Sequence, residues 1–116
     1  MLLTMCKCKI HRATVTDTNI NYEGSITIDE RLMSAAGLLE YEQVQVLNVN
    51  NGHRFETYVM KGKKGEIIIN GAAARLAVSN DRVIIIAYTQ LKKKQATEFR
   101  PTVILVNEKN EILKQS

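Results

Sequence analysis

Apolar and polar residues alternate with a period of two from Leu3 to His11, placing Met5, Lys7, Lys9 and His11 on one strand face and Cys6, Cys8, Ile10 and Arg12 on the other. Lys9 and His11 therefore point together. Thr14-Val15-Thr16 extends the β-rich run, and the polar cluster Asp17-Thr18-Asn19 predicts a turn that interrupts it. Ser25 to Ile28 reads as a second strand. Asp29 is placed to cap a short helix that buries Leu32, Met33 and Ala36, and Gly37 is placed to end it. Val44 to Asn48 and Arg54 to Met60 form the arms of a hairpin through Asn51-Gly52. Beyond the polar loop Lys61 to Gly65 come a buried strand at Ile67 to Ile69, a short helix at Ala72 to Ala77 and a buried strand at Val83 to Ala87. Thr102 to Val106 and a weaker Ile112-Leu113 close the pattern.

One segment echoes another. Gly24-Ser25-Ile26-Thr27-Ile28-Asp29 aligns with Gly65-Glu66-Ile67-Ile68-Ile69-Asn70, and each leads into a short Ala-containing helix, a turn and a Val-rich strand. Two such strand-helix-strand units can close edge to edge into a small pseudo-two-fold barrel, since closure removes exposed strand edges. Composition agrees with a mainly β chain. Hydrophobic residues are 45% of the 116, but there is no Trp and aromatic residues are only 5%, so Ile, Val and Leu must build the core of one domain.

Charge adds little. A net +4 with one dense basic run, Lys92-Lys93-Lys94, reads as a solvated loop, and too few aromatic residues interleave with the cations for a nucleic-acid surface. A mild positive field does suit a dianionic small molecule. No apolar run reaches the ~20 residues of a membrane helix, and no secretory signal is evident, so the expected location is the cytoplasm, with no membrane partner. Cys6 and Cys8 are expected as reduced thiols, and no metal site is expected: on a regular strand they share a face that excludes His11.

Four segments carry the chemistry: Lys9-Ile10-His11-Arg12-Ala13, Tyr22-Glu23-Gly24-Ser25-Ile26-Thr27-Ile28-Asp29, Asn50 to Val59 with Asn51-Gly52-His53-Arg54-Phe55-Glu56-Thr57-Tyr58, and Asn70-Gly71-Ala72-Ala73-Ala74-Arg75. In this order, spanning about Lys9 to Ile112, they resemble the aspartate 1-decarboxylase family. The resemblance implies a double-psi β-barrel with short helices, a homotetramer, and a chain that cuts itself at Gly24-Ser25 into residues 1–24 and 25–116. It also implies that Ser25 becomes a covalent pyruvoyl group that decarboxylates L-aspartate to β-alanine for pantothenate synthesis, with neither metal nor pyridoxal phosphate. Some members of the family need an accessory maturation factor, and the sequence leaves that open.

For such a cut, the Ser25 hydroxyl attacks the Gly24 carbonyl to form an ester, and elimination then expels the Gly24 carboxylate. The dehydroalanine left behind hydrolyses to pyruvoyl with loss of ammonia. Gly24 is expected to help by lacking Cβ, with backbone strain as a contribution. By resemblance Thr57 donates to the oxyanion of processing, Asn70 accompanies it, and Gly71, Ala72 and Ala73 let substrate approach the backbone closely. The mature ketone condenses with the aspartate amine, and the imine draws electrons as the α-carboxylate leaves. Two carboxylates call for two cations. Arg54 offers a planar fork and Lys9 a point charge, without the sequence deciding which holds which. His11 and Tyr22 are expected to line the pocket, and the resemblance nominates Tyr58 as proton donor to the α-carbon. Simple alternation separates Arg54 and Tyr58 from Thr57, so their joint use requires a bend or bulge. The rival readings are a non-enzymatic barrel that binds DNA or protein through its basic loops, and a self-cleaving hydrolase that keeps an N-terminal serine.

Overall fold

The computed structural model describes all 116 residues, Met1–Ser116. Nine strands form one sheet: β1 (Leu2–Thr14), β2 (Asp17–Asn19), β3 (Ser25–Asp29), β4 (Gln43–Asn48), β5 (Arg54–Gly62), β6 (Ile67–Asn70), β7 (Arg82–Lys92), β8 (Thr102–Val106) and β9 (Ile112–Gln115). Helix α1 (Glu30–Ala36) follows β3, a 3-10 segment (Gly71–Leu76) follows β6, and the single-turn α2 (Lys93–Ala96) follows β7.

The strand order β2-β6-β3-β5-β4-β7-β1-β8-β9 begins with β2 and returns to β1, which is the same stretch of chain two residues earlier. Closure follows from that continuity. Between them the backbone N–H of Val15 donates to Asp81 O and that of Thr16 donates to Ile67 O, both at 2.8 Å, so the ribbon crosses from β7 to β6 without losing its bonds. The chain is thus a small mainly β barrel, with β8 and β9 added outside β1.

The internal echo is a structural symmetry. In the antiparallel β3/β6 ladder Ile26 pairs with Ile69 and Ile28 with Ile67, so exchanging the two repeats maps each pair onto the other. The β4/β7 ladder behaves alike, with Gln45 opposite Ile86 and Leu47 opposite Ile84. Parallel pairings β3/β5 and β2/β6 complete the two interlocked halves, in keeping with the double-psi arrangement.

The core is aliphatic as composition requires: Ile10, Ile26, Ile28, Ile67, Ile69, Ile85, Ile104, Val15, Val44, Val46 and Val59 are all but fully buried. Truncating one such isoleucine to alanine costs about 2–5 kcal/mol. Helix α1 starts where Asp29 accepts from the backbone N–H of Arg31 and ends at Gly37, whose φ of 79° lets its N–H reach Met33 O and Ser34 O. Leu32, Met33 and Ala36 are its buried residues.

Four local expectations change. Asp17-Thr18-Asn19 is strand rather than turn, because Thr16 Oγ1 both donates to Ile67 O and accepts from Ile67 N–H at 3.0 Å, laying the following residues along β6. Cys6 and Cys8 do not share a face. The β1/β7 register steps over Lys7, setting Cys6 opposite exposed Tyr88 and Cys8 opposite buried Ala87. Strand β7 runs on to Lys92, and Lys93 and Lys94, read as loop, open α2 while staying exposed. The helix expected from Ala72 is a 3-10 segment that begins at Gly71. No helix is long and apolar enough to cross a membrane.

Candidate active site

Ser25 opens β3 and is 1% exposed, unusual for a hydroxyl that follows a loop. Its Oγ donates to Glu23 O at 3.2 Å and accepts from Asn70 Nδ2 at 3.0 Å. The same Asn70 Nδ2 donates to Thr27 Oγ1 at 3.1 Å. Strand geometry explains the cluster: Ser25 is the register partner of Asn70, and Thr27, two residues on, projects from the same face while Ile26 and Ile28 fill the core.

The glycine freedom that matters here belongs to Gly71. Its φ is 72°, and a Cβ on it would stand 2.6 Å from Gly24 Cα and 2.8 Å from Gly24 N, so only glycine lets the 3-10 segment start against the Gly24 backbone. Gly24 itself is outside the left-handed region, and a Cβ there would meet nothing within 4 Å. The expected strain is therefore absent from its φ.

Tyr58 and Thr57 reach this level through the parallel β3/β5 ladder. The ladder begins with Ile26 opposite Val59, so Tyr58 and Thr57 lie on β5 just before its first pair, at the end where Ser25 opens β3. The Tyr58 ring lies 6.3 Å from that of Tyr41 at 36°. No bulge interrupts β5: its register against β4 runs evenly from Tyr58 opposite Gln43 to Arg54 opposite Leu47. The expected bend is absent. Arg54 shares Tyr58's face but sits four residues away, roughly 13 Å along the strand, while Thr57 is on the opposite face. Arg54 is exposed and has no ion pair within the chain. Tyr22 is 53% exposed on the loop before Gly24, and its carbonyl oxygen lies 3.2 Å from where a Gly71 Cβ would stand. Ala72 is exposed and Ala73 half-buried.

A single copy does not bring Lys9 and His11 to Ser25. Both are half-buried on β1, four ladders from β3 by way of β5, β4 and β7, and neither shares a hydrogen bond with Ser25, Thr27 or Asn70. Their neighbours Cys8 and Ile10 point inward, so they point outward, together as expected. Burial holds the His11 imidazole below its ordinary value, helped by the positive charges of Lys9, Arg12 and Arg82. Arg82 also grips the bulge that follows, with Nε and Nη2 donating to Arg12 O at 2.9 and 2.7 Å. The largest groove, 490 Å³ between Glu42, Gln45, Glu56 and Tyr88, is on the outer face of β4 and β5, and none of the expected site residues lines it.

The model of the family described as aspartate decarboxylase matches residues 1–113. The chain is 61% identical over 113 residues to the aspartate 1-decarboxylase of Campylobacter fetus subsp. fetus, covering 97% of this chain and 98% of that relative. It is 60% identical over 115 residues to the aspartate 1-decarboxylase of Campylobacter curvus, covering 99% and 100%, and 56% identical over 118 residues to that of Caldicellulosiruptor saccharolyticus, covering 100% and 92%. The chain belongs to the aspartate decarboxylase family.

For a member of the aspartate decarboxylase family, the expected site residues gathered in one copy are Ser25 and Asn70, joined by a hydrogen bond, with Gly24 and Gly71 in backbone contact beside them. Sequence reasoning passed over Thr27 and Tyr41. Thr27 was legible in principle, because a hydroxyl two residues beyond Ser25 on a strand must share its face. Tyr41 was not, since it meets Tyr58 only after the backbone bonds Tyr41 N–H to Val59 O and Val59 N–H to Glu42 O close the turn before β4 onto β5.

Proposed function

We propose that this chain is a carboxy-lyase that converts L-aspartate to β-alanine and carbon dioxide, using a pyruvoyl group made from its own Ser25 after cutting at Gly24-Ser25. The observation that carries this is Ser25 itself: a buried hydroxyl in hydrogen-bond contact with a single side-chain amide, directly after a glycine against which Gly71 rests. In processing, the Oγ–carbon bond forms at Gly24, the Gly24–Ser25 amide bond breaks, and the hydroxyl proton ends on the Ser25 nitrogen. The charge develops on the Gly24 carbonyl oxygen, for which Thr57 and Asn70 are the proposed donors, and the Asn70 N–H also holds Oγ in place before attack.

The surroundings suit a small carbonyl group at position 25, since the position is buried, an amide N–H donor stands beside it and Gly71 adds no side chain. When present, that group supplies an electron sink for the departing α-carboxylate. The chain's own side chains do the rest. Arg54 and Lys9 hold the two carboxylates of aspartate, Tyr58 delivers a proton to the α-carbon, and His11 and Tyr22 shape the pocket. Lys9 and His11 face outward from β1 and make no hydrogen bond to the Ser25 cluster, so a neighbouring copy in a homotetramer supplies them and the site closes between copies. Gly71, Ala72 and Ala73 offer backbone to the substrate. Pantothenate synthesis is the route the product serves, with the cytoplasm as its place.

Intact mass before and after borohydride treatment with aspartate tests the reading. Fragments corresponding to residues 1–24 and 25–116, the second gaining a reduced aspartate adduct, are expected. Active protein that remains one uncut chain would overturn it, and a cut chain with an N-terminal serine would point to a hydrolase instead.

A further inference from the structure

Thr27 is neither core nor solvent-facing in the ordinary way. Its methyl group packs on β5, where Cγ2 lies 2.6 Å from where a Gly62 Cβ would stand, and its hydroxyl accepts from the amide that also holds Ser25. Asn70 Nδ2 is thus stretched between two oxygens, Ser25 Oγ at 3.0 Å and Thr27 Oγ1 at 3.1 Å. A primary amide has two N–H donors, and here each has one hydroxyl. Asn70 is 3% exposed, so water does not offer its side chain a ready substitute for either bond.

That arrangement matters because the amide can turn about its last side-chain torsion, which is soft and nearly two-fold. Turned over, it would present its oxygen to Ser25 Oγ. The serine proton would then have a second acceptor competing with Glu23 O, and the attacking oxygen would face a lone pair where it now faces a donor. With both N–H groups anchored, turning breaks two bonds rather than one.

We propose that Thr27 is a positioning residue for self-processing: its hydroxyl anchors the Asn70 amide so that an N–H faces Ser25 Oγ as it attacks Gly24. This rests on the reading of Gly24-Ser25 as the cut bond. Thr27 touches none of the reacting atoms and acts through Asn70 alone. The assignment goes beyond Ser25 and Asn70, because it makes the hydroxyl at position 27 a control on the rate of maturation.

The test compares the wild type with Thr27→Val, which keeps the shape and the packed methyl, and Thr27→Ser, which keeps the hydroxyl. Synthesis is stopped after a short pulse, and the fraction cut is followed by intact mass, with thermal midpoints measured on each protein. Thr27→Val is expected to cut roughly tenfold more slowly, the size of effect one buried hydrogen bond gives, while Thr27→Ser stays within about twofold of wild type. Thr27→Val cutting at the wild-type rate, or Thr27→Ser lagging equally, overturns the proposal. So does a lag that tracks a lowered thermal midpoint in both variants, which would assign Thr27 to packing. A wild-type chain that never cuts is a separate outcome, and it removes the reading of Gly24-Ser25 itself.

Discussion

Two ionisable residues outside the Ser25 cluster show how single side chains tune this barrel. Asp29 is 1% exposed, and burial by itself pushes its carboxyl up. The Arg31 side chain and the backbone N–H groups of Gly65 and Arg31 outweigh that and hold it below the usual carboxylate range. A depressed folded value means its stabilisation is complete above the unfolded value of about 3.9 and fades as pH falls through the folded one. Asp29→Asn should therefore lower the thermal midpoint at pH 7, by about 1–3 kcal/mol in stability, with the gap to wild type closing in acid. Equal midpoints at pH 7 would contradict this. His11 shifts in the same direction: its lowered value favours the neutral imidazole at pH 7, and folding loses stability as pH drops from about 6.5 toward that value. An NMR titration should give His11 a midpoint below that of a free histidine.

Among the elements, the 3-10 segment is held at both ends. Asn48 Nδ2 and Asn51 Nδ2 each donate to Leu76 O at 3.1 Å at one end, and Gly71 abuts Gly24 at the other. Gly71→Ala must accept a left-handed φ and displace the Gly24 backbone, costing about 1–2 kcal/mol for the φ before any clash is counted. The expected outcome is a folded chain with a reduced melting temperature and cleavage slowed at least tenfold, followed by mass. Cutting at the normal rate would show that the contact does not shape the scissile bond. The elements themselves were largely legible: Asp29 and Gly37 bracket α1, and Ile-rich runs mark β3 and β6. Misreadings fell where pairing overrides local preference. Asp17-Thr18-Asn19 has turn composition, yet lies along β6 because Thr16 is bonded to Ile67 three times.

At the scale of the whole molecule, Lys9 lies on β1 and Ser25 on β3 with no hydrogen bond between Lys9 and the Ser25 cluster, and the proposed site is completed by a neighbouring copy. Mixing separates the two arrangements. Lys9→Ala and Ser25→Ala should each be inactive alone, whereas co-expression should restore part of the carbon dioxide release, because mixed assemblies contain some sites with both residues intact. No restoration in confirmed mixed oligomers would place Lys9 and Ser25 in the same copy.

The sequence by itself determined the aliphatic core, the strand-helix-strand repeat, the Gly-Ser pair and the shared face of Lys9 and His11, since each depends on residues only a few positions apart. Tertiary structure decided that Asn70 meets Ser25 across 45 residues, that Thr27 shares its amide, and that Gly71 rather than Gly24 adopts the left-handed backbone. It also set Cys6 and Cys8 on opposite faces of β1. The physical reason is that periodicity fixes which way a side chain points relative to its own strand. Which strand lies alongside, and in what register, follows only once the barrel closes and every backbone N–H has found its partner.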